Sequence, residues 1–381
     1  MLRGAQILSS RASPLPSTDC ATQIIAHLEA AGYARAVTAI LQPAAIFFDS
    51  GEDLRAQLYL TSDLSGADYC LRPEYTIPVL AAYLAGQTAG ARAAYSYCGP
   101  VFRYRPGLPS EFFQAGIESF GRADREAADA EVLSITLNAA ATAQKIEPAV
   151  RIGDAGLFAK FLQALKLSPE WCRRIARGLI QGKSLDTILS PPNGGSADHF
   201  GVLALIERAD KKGARALVED LLSIAGVTPA GGRSPAEIAD RFLEQAALRS
   251  NGGISPEKRA LIGQFLAIEE GPQNASKLLR ALSTDAKLDL AAALDSFDMR
   301  LAHIASLGLD VTKIEFAARF ARNLDYYTGF VFEARVPGAP EPFAGGGRYD
   351  GLPQALGAKE PIPAVGAAIW LDRLGVGGQR P

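Results

Sequence analysis

The stretch VFRYRPGLPSEFFQAGIESFG, residues 101–121, places β-like runs on either side of a Pro-Gly-Leu-Pro turn, and reads as a β-hairpin. Strand residues an even number apart share a face, so Phe112, Gln114 and Glu118 point the same way. A face carrying Gln114, Glu118 and the nearby Arg103 is too polar for plain core; it either meets solvent or lines a ligand pocket.

Before the hairpin, CATQIIAHLEAAGY (20–33) places Ile24, Ile25, Leu28 and Ala31 at helical spacing and stops at Gly32. Short β-like runs follow in AVTAILQPAAIFF, QLYLTSD and YCLRP, then a helix over 75–84; beyond the hairpin comes a helix over 125–143. The C-terminal part returns to strands and glycine-rich turns in KIEFAARF, GFVFEAR and AVGAAIWLDRLGV, the last a strand running into a helix. Between them, 151–305 reads as almost wholly helical, with similar starts at Ser168-Pro169-Glu170, Ser234-Pro235-Ala236-Glu237 and Ser255-Pro256-Glu257. Serine as N-cap, proline at the first helical position and an acid in the first turn account for these motifs, without the phosphorylation that a Ser-Pro pair also permits. The expected fold is α+β: an antiparallel sheet flanked by helices, built from 1–150 and 306–381, with a helical insertion at 151–305.

With 381 residues, 48% of them hydrophobic and 21% charged, the chain can bury a sizeable core. A net charge of −2 provides no basic field, which argues against nucleic acid as a main partner. No apolar run reaches the ~18–20 residues that span a bilayer, and MLRGAQILSS lacks the apolar core of a signal peptide, so no membrane contact and a cytoplasmic location are expected. Cys20, Cys70, Cys98 and Cys172 form no CxxC pair, and His27, His199 and His303 lie far from them; neither a metal site, nor a disulfide framework, nor a cofactor is expected.

LRPEYT (71–76) puts Glu74 after a proline at a strand-to-helix junction, where an acid either caps the helix or points into a cleft. RNLDYYTGFVFEARVPGAPEPFAGGGRYDGL (322–352) combines a cation, Arg322, with aromatic walls, Tyr326 and Tyr327, and a glycine run at 345–347 open to close approach. Two acids, an amide, an arginine and tyrosines suit a zwitterion with a flat, hydrogen-bonding side chain, such as histidine.

The runs LRPEYT, GPVFRYR…FFQAGIESFG, RNLDYYTGFVFE, GGGRYDGL and AVGAAIWLDRL occur in the order found in the catalytic domain of histidyl-tRNA synthetase, and the chain resembles that class II synthetase family in both halves of its α+β region. The resemblance implies a class II aminoacyl-tRNA synthetase-like sheet and a role for each matching position. Glu74, Thr76 and Gln114 would hold the α-ammonium of histidine. Glu118 and Tyr327 would read the imidazole N–H, with Tyr326 beside them, and Arg322 would lie against the carboxylate. Arg103 and Arg373 resemble the motif 2 and motif 3 arginines that clamp the phosphates of ATP.

Departures from that pattern bear on the activity. The motif 2 loop is short and bland over Arg105–Ser110, and Trp370 stands where motif 3 has a glycine, filling space that ATP needs if the backbone is unchanged. In the motif 1 region Ala39 and Gln42 replace a proline and a glutamate. The sequence ends soon after Arg373, so the anticodon-binding domain is expected to be absent. A histidine pocket kept beside eroded ATP and tRNA equipment makes Arg103 and Arg373 vestigial phosphate-binding residues and leaves no catalytic residue.

That combination is similar to the regulatory subunits of ATP phosphoribosyltransferase, synthetase-like proteins without aminoacylation activity. The resemblance implies a non-catalytic subunit that binds L-histidine for feedback on the first step of histidine biosynthesis. It also implies a short-form catalytic subunit as partner in a hetero-oligomer, and self-dimerisation through the motif 1 face. The competing reading is a truncated synthetase-like enzyme that still adenylates histidine, for which the retained Arg103, Arg322 and Arg373 speak.

Overall fold

The computed structural model describes residues 18–48, 52–86, 90–145, 147–190, 248, 253–320 and 326–374. Arg322 and the Ser234-Pro235 helix start lie outside the described residues.

Twelve strands are described: β1 (Ala34–Arg35), β2 (Leu41–Pro43), β3 (Leu60–Ser62), β4 (Asp68–Leu71), β5 (Ala93–Phe102), β6 (Glu111–Phe120), β7 (Ala149–Asp154), β8 (Glu269–Glu270), β9 (Ile314–Ala317), β10 (Phe330–Arg335), β11 (Ala344–Arg348) and β12 (Ala364–Trp370). Nine of them form one sheet in the order β1-β5-β6-β12-β11-β10-β7-β9-β8, and β2-β4-β3 form a smaller one. The expected hairpin is present as β5–β6, pairing Gly99 with Gln114 and Tyr95 with Glu118. The sheet is mixed rather than purely antiparallel, since β1–β5 and β7–β9 pair parallel.

The principal helices are α1 (Thr18–Ala30), α2 (Thr76–Ala85), α3 (Arg125–Ala143), α4 (Ala155–Ala164), α5 (Pro169–Ile180), α6 (Leu185–Leu189), α7 (Pro256–Leu266), α8 (Pro272–Asp285) and α9 (Ala291–Ser306). Two of the three serine caps are realised: the N–H of Trp171 donates to Ser168 Oγ at 3.4 Å and that of Lys258 to Ser255 Oγ at 3.4 Å. Two readings are corrected. RIGD (151–154), read as the start of the helical block, belongs to strand β7, with Val150 and Ile152 buried and Arg151 half-exposed; so short a run carries too few residues to separate the two periods. AAIF, read as strand, closes into a 3₁₀ turn after Pro43.

The chain forms two compact units: Met1–Phe158 with Leu266–Asp285 and Leu290–Pro381, and Ala159–Phe265 with Ala286–Asp289. The second is narrower than 151–305 because β7, β8, α8 and α9 belong with the sheet. Within the second unit the rings of Phe161 and Phe265 stack at 4.4 Å, and Arg174 Nε donates to Ile188 O at 2.7 Å near the end of α6.

Strand alternation divides the large sheet into two faces. Arg348, Phe330 and their even-numbered neighbours along β10 and β11 point toward α3 and α9, with Arg348 paired to Asp129 of α3. The opposite face carries Gln114, Gly116 and Glu118 on β6, Gly366, Ala368 and Trp370 on β12, Gly345 and Gly347 on β11, and Glu333 on β10. Glycines in the middle strands leave this face hollow, and α2 stands over one side of it.

Candidate functional site

The hollow is a cavity of about 560 Å³. Glu74, Thr76, Gln114, Tyr326 and Tyr327 line it, together with Arg103, Trp370 and Arg373. Five of the seven expected histidine-binding residues therefore meet at one place, from segments that are remote in sequence. Arg322 is outside the described residues, and Glu118 stands one layer back.

Glu74 fulfils both readings of its junction. Its carboxylate accepts the N–H of Thr76 at 2.6 Å and that of Ile77 at 2.8 Å, satisfying the open first turn of α2, and it also reaches the cavity. Burial pushes its pKa up, against the pull of those N–H groups and of Arg103.

Glu118 is fully buried; Oε1 accepts the Thr76 hydroxyl at 2.7 Å and Oε2 accepts the Tyr349 hydroxyl. It lies across Gly366, its partner on β12, where a Cβ would come 1.7 Å from Oε2, so only glycine leaves the carboxylate room. Burial first, and Glu74 after it, push the Glu118 pKa up to about 8, while hydrogen bonds from Tyr349 and Thr76 pull it down. Thr76 and Tyr349 line the cavity, so their hydroxyls stand between Glu118 and the open space.

Gln114 is 2% exposed, and its Oε1 has no hydrogen-bond partner among the described residues. Tyr326 lies between two other rings, 5.0 Å from Tyr327 and 5.6 Å from Tyr349 between centroids. Sequence reasoning missed Tyr349 as a contact to Glu118, although it lies in the quoted GGGRYDGL run. It also missed Glu333, a buried acid in the apolar run of β10 that lines the far wall with Arg335, whose Nε donates to it at 2.9 Å.

The two expected phosphate-binding arginines both line the cavity but have protein partners. Arg103 Nε donates to Pro73 O at 2.7 Å; burial lowers its pKa against the pull of Glu74. Arg373 donates to Pro342 O at 3.0 Å, lies 3.2 Å from Glu341 and covers the Trp370 ring at 4.8 Å. Arg105 covers the ring of Phe112 at 4.0 Å. Among the described residues no group of His, Cys, Asp and Glu is placed to hold a metal ion.

Curated relatives share this sequence over most of its length. An ATP phosphoribosyltransferase regulatory subunit of Mesorhizobium japonicum is 43% identical, the match covering 88% of this chain and 91% of the relative. Relatives with the same description from Chelativorans sp. and Agrobacterium fabrum are 40% and 39% identical, over 90% and 93% of this chain and 93% and 95% of theirs. The chain belongs to the ATP phosphoribosyltransferase regulatory subunit family. This regulatory subunit also matches the histidyl-tRNA synthetase family model over residues 16–216 and 211–374. A Bacillus halodurans structure described as an ATP phosphoribosyltransferase regulatory subunit/histidyl-tRNA synthetase superposes with a TM-score of 0.66 at 20% identity, covering 95% of this chain and 79% of the other. A Nostoc histidyl-tRNA synthetase superposes at 0.61 and 19% identity, covering 95% and 73%.

Proposed function

We propose that this chain is a non-catalytic regulatory subunit of ATP phosphoribosyltransferase and that its cavity takes L-histidine as the feedback signal for the first step of histidine biosynthesis. The observation that carries the ligand reading is Gln114 Oε1, a buried acceptor at the cavity wall without a partner among the described residues. An unmet buried acceptor is costly alone and favours a ligand that brings an N–H. An α-ammonium between Gln114 and Glu74 would meet both a neutral and an anionic acceptor. The imidazole would then lie among Tyr326, Tyr327 and Tyr349, with the Thr76 and Tyr349 hydroxyls relaying to Glu118, and Arg322 would take the carboxylate.

Regulation requires a partner: histidine inhibits only if it binds the inactive assembly more tightly than the active one. The proposed partner is a short-form catalytic subunit, in the cytoplasm. Self-dimerisation is part of the same reading, supported by exposed apolar side chains in and around the motif 1 segment: Val37 (90% exposed), Ile40, Leu41 and Leu60.

A second reading, a histidine-adenylating enzyme, is favoured by the presence of Arg103 and Arg373 in the cavity wall. Against it, Arg373 is held by Glu341 and Pro342 and stacked on Trp370. Calorimetric titration with L-histidine, beside histidine-dependent ATP–pyrophosphate exchange, tests both readings. Binding without exchange is expected; exchange above a no-enzyme control would establish the second reading, and absence of binding would remove the first.

A further inference from the structure

On the helix-covered face of the sheet five charges alternate in sign: Asp350, Arg348, Asp129, Arg300 and Asp154. Arg348 Nη1 donates to Asp350 Oδ1 at 3.0 Å and Nη2 lies 2.6 Å from Asp129 Oδ1. Arg300 Nε donates to Asp129 Oδ2 at 2.9 Å and Nη1 to Asp154 Oδ2 at 2.8 Å. Asp129, Arg300 and Arg348 are all buried. Taking charges out of water is costly, and apolar packing of the same volume is often no less stable; what a planar guanidinium fork adds is a fixed geometry.

That geometry bears on the backbone behind the cavity. The N–H of Thr328 donates to Arg348 O at 2.8 Å, and the N–H of Asp350 donates to Thr328 Oγ1 at 2.9 Å. The Arg348 stem packs against Gly329, where a Cβ would come 3.2 Å from its Cδ. The N–H of Ala155, next to Asp154, donates to Gly329 O at 2.9 Å. The charge chain therefore grips Thr328-Gly329 from two sides, directly after Tyr326 and Tyr327. It also brackets Tyr349, between Arg348 and Asp350, whose hydroxyl donates to Glu118.

We propose that this buried charge chain, centred on Asp129, positions the three tyrosines of the cavity wall and thereby sets how tightly the site binds; only the identity of the ligand rests on the histidine reading above. Asp129 and Arg300 touch nothing in the cavity themselves and act through Arg348 and Asp154. Asp129→Asn preserves shape while leaving two buried guanidiniums to share a neutral amide. The full-length variant is examined by hydrogen–deuterium exchange without ligand and by calorimetric titration with L-histidine. Exchange should rise roughly tenfold or more in segments 326–335 and 344–352 but stay at the parent rate in the β5–β6 hairpin, and histidine affinity should fall roughly tenfold. A uniform rise in all three segments would reduce Asp129 to a structural residue and overturn the proposal, as would faster local exchange with unchanged affinity. A parent that fails to bind histidine would strike the ligand reading, and the exchange pattern alone would then decide for or against the charge chain. Should Asp129→Asn not fold, Arg300→Lys keeps the charge but loses one hydrogen bond of the fork; it should show the same local pattern at smaller amplitude, and parent-like exchange in it overturns the proposal.

Discussion

At the scale of single residues, Glu118 gives the site a pH dependence. Its carboxyl titrates near 8 in the folded protein, chiefly because it is buried, whereas a glutamate in an unfolded chain titrates near ~4.3. Between those values the folded state holds a proton that the unfolded state has lost, so the Glu118 contribution is fully present at low pH and fades as pH rises to about 8. Melting temperature followed across that window should fall less steeply in Glu118→Gln than in the parent; equal slopes would assign the titration to another group. Trp370 yields a second prediction. It belongs to the buried cluster that includes Tyr75, Tyr97 and Phe112, so Trp370→Gly should cost roughly 3–5 kcal/mol of stability. The single change should still leave ATP unbound, because Arg105 covers the Phe112 ring and Glu341 and Pro342 hold Arg373. ATP binding detected by titration of that variant would show that Trp370 alone blocked the nucleotide. That Gln114, Glu74 and Tyr327 come together at one cavity was legible, because their motifs fix residue type and order. The link from Tyr349 to Glu118 was not, since spacing along the chain does not say which of three tyrosines reaches an acid 231 positions away.

At the scale of elements, α2 depends on Glu74. The helix begins with two N–H groups that the carboxylate satisfies, and its N-cap residue, Tyr75, supplies no side-chain bond of its own. Glu74→Ala should therefore destabilise the protein by about 0.5–2 kcal/mol through the lost cap. It should also weaken histidine binding, because the same residue lines the cavity. Calorimetry beside thermal melting separates the two: lost stability at unchanged affinity would confine Glu74 to capping. Elements with long, consistent periodicity, such as α1, α3 and the β5–β6 hairpin, are legible in the sequence because each residue repeats the same signal. Short elements are not. β7 owes its strand state to β10 and β9 on either side, and the parallel pairing of β7 with β9 joins segments that no local rule brings together.

At the scale of the whole molecule, regulation is a matter of linked equilibria rather than of any one contact. The exposed Val37, Ile40, Leu41 and Leu60 predict self-association, so Val37→Asp with Leu41→Asp should shift sedimentation toward the monomer while the melting temperature changes little; an unchanged sedimentation profile would overturn self-association through this face. The surface that meets a catalytic subunit could not be read from motifs, because interfaces are composed of residues whose types are ordinary for a surface. The energetics of feedback can nevertheless be stated in advance. If histidine weakens the active assembly by a given factor, that assembly must weaken histidine binding by the same factor, since coupling free energy is reciprocal. A tenfold effect corresponds to about 1.4 kcal/mol of coupling. Histidine affinity measured for the assembly with its catalytic subunit alone, and again with saturating substrates, should therefore differ by the factor by which histidine inhibits, the substrate-loaded assembly binding more weakly. Equal affinities would leave histidine no differential interaction with which to inhibit, and feedback through this cavity would have to be abandoned even if histidine binds there.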